Sequence, residues 1–215
     1  MRFRTVLFDL DGTLTDPGEG ITNSVRYALG KFGIEEPDRK KLEKFIGPPL
    51  TRSFEEHYGF GEEKAKQALK YYREYFADRG IFENEIYPGI PDLLASLKGN
   101  GVTVALATSK PEPFARKILR HFGIYDFFDL IAGNTLDERR PLKSDVIGYL
   151  VSERGVTAGR ETAMVGDRVY DVQGGKLFGL FTVAVAYGYG CPEELEEADR
   201  TAGTVDELRG ILIES

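Results

Sequence analysis

The residues with the clearest chemical content are acidic and come in two pairs. In Phe8-Asp9-Leu10-Asp11-Gly12-Thr13-Leu14, an apolar run leads into two aspartates spaced i, i+2. In Val165-Gly166-Asp167-Arg168-Val169-Tyr170-Asp171, a second apolar run leads into another acidic pair. Carboxylates brought together repel each other and lose hydration, an arrangement that is costly unless a cation or a substrate uses it. Hard oxygen donors suit Mg²⁺, which keeps several waters and takes one or two carboxylates together with substrate phosphate. If the two runs are neighbouring strands, Asp9, Asp11, Asp167 and Asp171 meet at one point and form a site for that ion.

The elements that must position these acids are read from hydrophobic patterning. Short apolar runs occur at 5–10, 102–108, 130–132, 162–165 and 181–186, most without polar alternation. Such runs suit strands buried on both faces, as in a parallel sheet. Segments with helical spacing lie between the later runs, at 91–98, 111–122, 142–154 and 169–178. A last helix is expected over 204–213, with Thr204 as N-cap and Glu207 completing a capping box. Strands alternating with helices predict an α/β fold with a doubly wound parallel sheet. Open sheets of this kind place ligands at the carboxyl ends of their strands, where both acidic pairs fall.

Residues 16–86 break the rhythm. Helical spacing appears at 21–32, 38–45, 50–58 and 62–76, with the breaker Gly47-Pro48-Pro49 between the second and third, and no strand pattern is evident. Connections of this length are usually functional or domains of their own. The expected organisation is a Rossmann-like core from 1–15 and 87–215, with an inserted all-helical cap at 16–86. Tyr87-Pro88-Gly89 is the expected hinge. An insertion leaving directly after Asp11 would act as a lid over the acids.

Composition sets the outer limits. The chain has 215 residues, 41% hydrophobic and 29% charged, which is ordinary for a globular protein. Its formal charge of −7 and the lack of a basic stripe argue against a nucleic-acid partner. No apolar run approaches the roughly 20 residues of a membrane span, and no secretory signal is recognisable. With one cysteine, Cys191, there is no intrachain disulfide framework. A cytoplasmic enzyme with small-molecule partners, of open oligomeric state, is the expectation.

Four motifs in order resemble those of the haloacid dehalogenase superfamily. Asp9-Leu10-Asp11-Gly12-Thr13 is similar to its first motif and Thr108-Ser109-Lys110 to its second. Lys143, in Arg140-Pro141-Leu142-Lys143, is similar to its third, and Gly166-Asp167-Arg168 through Asp171 to its fourth. The helical insertion resembles the type I cap of that superfamily. Asp137-Glu138-Arg139-Arg140 and Tyr187-Gly188-Tyr189-Gly190 resemble its phosphoglycolate phosphatase-like branch. Members that dehalogenate lack the i+2 aspartate, so the presence of Asp11 implies phosphoryl transfer.

The resemblance implies roles. Asp9 would be the nucleophile, forming an aspartyl-phosphate. Asp11 would be the general acid for the leaving group and then the base for water, with its backbone carbonyl on Mg²⁺. Asp9 and Asp167 would complete the metal set, with Asp171 orienting that shell or Lys143. Thr108, Ser109 and Lys143 would bind the phosphoryl group. Arg52 and Ser53, in the cap loop, would touch the leaving group. The implied activity is a Mg²⁺-dependent phosphatase acting on a small phosphorylated metabolite, phosphoglycolate-like or a nucleoside monophosphate. A sugar phosphomutase and a non-catalytic regulatory member are the alternatives. Each residue also has a plainer reading: Asp-Gly as a turn, Thr108 and Ser109 as helix caps, Lys143 as a solvated charge, Asp171 as a helix-start acid, and Arg52 with Ser53 as a helix N-terminus. Gly174-Gly175-Lys176 lacks the spacing of a phosphate loop and is expected to serve helix packing.

Overall fold

The structure is a computed structural model and describes residues 3–213. In chain order the elements are β1 (Thr5–Phe8), β2 (Thr15–Asp16), α1 (Gly18–Gly30), α2 (Arg39–Leu42), α3 (Leu50–Tyr58), α4 (Glu62–Tyr75), β3 (Glu85–Ile86), α5 (Ile90–Gly99), β4 (Thr103–Pro111) and α6 (Glu112–His121). These are followed by β5 (Leu130–Asn134), α7 (Lys143–Glu153), β6 (Thr162–Gly166), α8 (Val169–Leu177), β7 (Phe181–Val185), α9 (Pro192–Leu195), β8 (Arg200–Ala202) and α10 (Val205–Ile213). The chain divides into two compact units, one formed by Asp16–Glu85 and the other by the residues before and after it.

The larger unit carries a six-stranded sheet in the order β5-β4-β1-β6-β7-β8, and every pairing is parallel. Leu7, Ala105, Ala132 and Met164 pack on Val146, Ile147 and Leu150 of α7. Val6 and Phe8 alternate with Leu7, so they point to the opposite face, and they too are fully buried. Burial on both faces is why the strands read as unbroken apolar runs. The doubly wound α/β architecture expected from the sequence is therefore the one observed. The apolar runs and the strands differ by up to three residues at their ends: the first run outlasts β1 because burial continues at Asp9 and Leu10, whereas β4, β5 and β6 pair on past the end of their runs.

Three strands escaped the pattern: β8, and the two-residue β2 and β3 at the ends of a segment expected to hold none. Arg200 and Thr201 of β8 are exposed, and only Ala202 is buried. An edge strand has one neighbour and needs no apolar run to pair. The capping box expected at the last helix is also modified. Thr204 Oγ1 accepts the Glu207 N–H at 3.2 Å, but the Glu207 carboxylate reaches back to the N–H of Gly203, at 2.6 Å, one residue further than the motif requires.

The Asp16–Glu85 unit is helical, with α1 and α3 both packed on α4. Its interior is aromatic: Phe45 meets Phe54 at 4.9 Å between centroids, and Phe54 stacks on Phe60 at 5.9 Å. Tyr72 and Phe76 are buried and stacked at 5.4 Å, consistent with a packing role for the aromatic run at the end of α4. The two-residue strands β2 and β3, at the ends of this insertion, pair with each other. Among the described residues no helix is long and apolar enough to cross a membrane.

Candidate active site

The strand order places β1 between β4 and β6, and the chain winds in opposite directions on its two sides. This is the topological switch point, where the loops at the strand ends diverge and leave a crevice. The Asp9 N–H donates to Val165 O at 2.9 Å, carrying the β1–β6 pairing one residue beyond the strand. Both acidic pairs thereby start from one rigid edge. After Asp11 the chain turns sharply, with Leu14 N–H and Thr15 N–H both donating to Leu10 O, at 2.9 and 3.0 Å. Gly12 makes the turn at φ +80°, and a Cβ on it would overlap the Asp167 carboxylate. Only glycine satisfies both conditions.

Asp9, Asp167 and Asp171 are all buried, and each offers an oxygen within 4.8 Å of the others'. Lys143, the first residue of α7, reaches into the cluster. Its Nζ lies 2.8 Å from Asp9 Oδ1, 2.8 Å from Asp171 Oδ1, and donates to Ala107 O at 2.7 Å. With 3% of its side chain exposed, Lys143 is not a solvated helix-start charge. Burial alone would lower its pKa. The charges of Asp171 and Asp9 more than offset that and hold it at about 12. Burial raises Asp171 to about 6 even though Lys143 pulls the other way. Asp167 is pushed well above the usual carboxylate range by burial and then by its acidic neighbours. Its Oδ2 accepts the Tyr189 N–H at 2.8 Å, which only partly compensates.

Three carboxylates against one lysine leave an excess of negative charge in a buried place. Their donor set is hard oxygen only, so the arrangement fits a divalent cation such as Mg²⁺. Asp171 sits in the same cluster and is also the helix-start acid of the plainer reading: its Oδ2 accepts the Arg168 N–H at 3.0 Å. The Asp11 carboxylate is outside the three-acid group. It pairs instead with Lys110, at 2.8 Å from Nζ to Oδ2. Burial raises the Asp11 pKa, and Lys110 lowers it only in part.

Thr108 is buried at the end of β4, and its Oγ1 accepts the Lys110 N–H at 3.2 Å. Ser109 follows in the same strand. Neither caps α6, which begins at Glu112 with no side-chain cap, so the capping reading of these two residues is set aside. Arg52 and Ser53 lie in α3 of the helical unit. Arg52 is exposed and pairs with Glu56 at 2.6 Å, while Ser53 is buried and its hydroxyl donates to Pro49 O at 3.3 Å. Gly174 packs on the Lys143 side chain, as expected of a packing glycine rather than a phosphate loop.

Two features of the site were not legible in the sequence. Lys110 belongs to the Thr108-Ser109-Lys110 motif, but nothing in the sequence marks its pairing with Asp11. Nor does the sequence mark what the 187–190 loop holds. In the structure its Tyr189 N–H holds Asp167, and the Tyr187 hydroxyl donates to Thr13 O at 3.0 Å. Gly188 lies so close that a Cβ there would overlap both Asp167 and Gly12 O. The alternation of glycine with tyrosine was the available signal.

A family model described as haloacid dehalogenase-like hydrolase matches residues 6–185, a span that contains every acid of the cluster. The chain belongs to the haloacid dehalogenase-like hydrolase family. It is 47% identical over 214 residues to a protein named 5'-nucleotidase from Pseudomonas aeruginosa, covering 99% of this chain and 96% of that one. It is 42% identical over 211 residues to tyrosine-protein kinase PtkA from Mycobacterium tuberculosis, covering 96% of this chain and 72% of that one. A crystal structure described as a "predicted phosphatase" from Clostridium acetobutylicum superposes with a TM-score of 0.96, at 46% identity and full coverage of both chains. Within the haloacid dehalogenase-like hydrolases this chain is an enzyme of the phosphoric monoester hydrolase class.

Proposed function

We propose that the chain hydrolyses small phosphomonoesters through an aspartyl-phosphate on Asp9, with Mg²⁺ as cofactor. The observation that carries this reading is the buried Asp9–Asp167–Asp171 cluster around Lys143 at the switch point of the sheet. Asp9, Asp167 and the backbone carbonyl of Asp11 would hold the ion. Bound there, Mg²⁺ would supply positive charge against which a phosphate dianion can approach a carboxylate.

The chain's own groups account for the remaining steps. An oxygen of Asp9 attacks phosphorus, the Asp9–phosphorus bond forms, and the bond to the leaving oxygen breaks. Asp11 gives that oxygen a proton. Asp11 then takes a proton from water, the water oxygen attacks phosphorus, and phosphate leaves as the Asp9–phosphorus bond breaks. Lys143 holds Asp9 in place and offsets charge on the phosphoryl group. Thr108 and the Ser109 backbone bind its oxygens. Most of the rate enhancement then comes from positioning and electrostatics. Asp171 acts through Lys143 and through the start of α8.

The insertion at 16–86 would serve as the cap, gating entry so that small soluble metabolites are the substrates. A nucleoside 5'-monophosphate is favoured over phosphoglycolate by the 47% identity to a protein named 5'-nucleotidase. The likeness to a protein named a tyrosine kinase favours one variation, in which a hydroxyl replaces water as the acceptor from Asp9. The complete set of acids and Lys143 argues against a purely regulatory member. A cytoplasmic location is part of the same proposal.

The test is phosphate release from a panel of nucleoside monophosphates, phosphoglycolate and sugar phosphates, with Mg²⁺ or with chelator, using Asp9→Asn as the blank. Release that needs Mg²⁺ and disappears in the variant is expected. Equal release by Asp9→Asn would overturn the mechanism, and isomer conversion without released phosphate would identify a mutase.

A further inference from the structure

We infer that Lys110 is a positioning residue that presents one chosen oxygen of Asp11 to the leaving group; the inference rests on the acid role proposed for Asp11. Lys110 and Asp11 are both nearly buried, with 6% and 13% of their side chains exposed, and the pair is 2.8 Å apart. A buried lysine is expensive, and a lysine held this closely beside one carboxylate oxygen is not a surface charge. The lysine clamps Oδ2. Asp11 Oδ1 is also buried and has no hydrogen-bond partner. A buried, unpaired carboxylate oxygen costs free energy unless another molecule completes it.

The backbone of Lys110 is fixed independently of Asp11. Its N–H is held by Thr108 Oγ1 at 3.2 Å. Its carbonyl lies against Gly133 of β5, where a Cβ would fall at 2.6 Å and force the strand away. Pro111 follows with its fixed φ, and the β4–β5 register shifts between Ala107 and Pro111, which turns this segment out of the regular ladder. A strand irregularity of this kind re-aims side chains, and here it aims Lys110 at Asp11. The consequence is a carboxyl group with one oxygen tethered and the other presented. Proton transfer in the transition state depends on such geometry to within a fraction of an ångström.

The experiment compares wild type, Lys110→Met, Lys110→Arg and Asp11→Asn on a series of phosphomonoesters, from 4-nitrophenyl phosphate to simple alkyl phosphates. The quantity read is kcat/KM, which covers steps up to the first phosphoryl transfer and so reports the acid role alone. An activated nitrophenolate leaves without a proton, whereas an alkoxide needs one. A positioned general acid contributes about 10²–10⁴-fold. Lys110→Met is therefore expected to lose at least about 30-fold on alkyl phosphates and less than about 5-fold on 4-nitrophenyl phosphate, in parallel with Asp11→Asn. Lys110→Arg keeps the charge and should show the same trend with a smaller loss. It also serves if Lys110→Met fails to fold, as judged by its thermal melt.

A loss of equal factor across all leaving groups, or no loss, would overturn the inference while leaving the phosphatase reading intact. A wild-type protein that releases no phosphate from any compound, or that matches Asp9→Asn, would overturn the reading beneath it, and the inference with it.

Discussion

Replacing Lys143 by methionine removes the cation paired with both Asp9 and Asp171 while keeping most of the side-chain volume. Both Asp9 and Asp171 lie 2.8 Å from its Nζ, and Ala107 O accepts from it at 2.7 Å. Breaking a buried pair by deleting one partner costs about 3–5 kcal/mol, because the surviving charge is left uncompensated. In a chain of this length each kcal/mol shifts Tm by about 2–4 °C, so the metal-free variant should melt about 6–20 °C below wild type at pH 7.5. The pH dependence follows from the two shifted groups. Lys143 is raised to about 12, so its contribution is fully present at neutral pH and is lost only as the pH rises through that value. Asp171 is raised to about 6, so protonation favours the folded state; the stability it gains is complete below about pH 4 and is lost as the pH rises through 6. The deficit of Lys143→Met should therefore be largest near pH 8 and shrink towards pH 5, as Asp171 protonates and no longer needs a counter-ion. Adding Asp171→Asn to the variant should restore part of the loss at pH 7.5. The assay is thermal melting by circular dichroism in chelator across pH 5–8. A Tm within about 2 °C of wild type at pH 7.5, or a deficit that does not change with pH, would refute the electrostatic account.

Two further predictions concern Asp199, away from that cluster, and Gly12, packed against it. Partial burial would raise Asp199, but hydrogen bonds from Arg160 at 2.8 Å and from Thr182 at 2.8 and 3.0 Å hold it at about 2. Its stabilisation is present above its unfolded pKa and is lost as the pH falls from about 4 to about 2. Allowing for solvent screening, Asp199→Asn should cost about 1–2 kcal/mol in urea unfolding at pH 7 and almost nothing at pH 2. Gly12→Ala should cost at least about 1–2 kcal/mol from its positive φ alone, with a further loss from overlap with Asp167. Thermal melting reads the first effect, and lowered phosphate release reads the displacement of Asp167.

The residues by themselves determined the core of this protein. Runs such as Val6-Leu7-Phe8 and Thr162-Ala163-Met164-Val165 carry their burial in their composition, because a strand covered on both faces needs apolar side chains at every position. Asp9 and Asp167 were legible as site candidates because each follows such a run at the end of a strand, whereas Lys143 follows no apolar run and was marked only by its resemblance to the third motif. The tertiary structure decided what a one-dimensional pattern does not hold. The strand Arg200–Ala202 is an edge whose polar side chains reach solvent, so no apolar period marked it. The partnership of Lys110 with Asp11 joins residues 99 positions apart in the sequence, and only the parallel pairing of β1 with β4 brings them together. The grip of Tyr189 on Asp167 depends in the same way on β6 lying beside β7. Local sequence records how each segment is buried; which oxygens are left to react is set by pairings between segments, and those exist only once the sheet has formed.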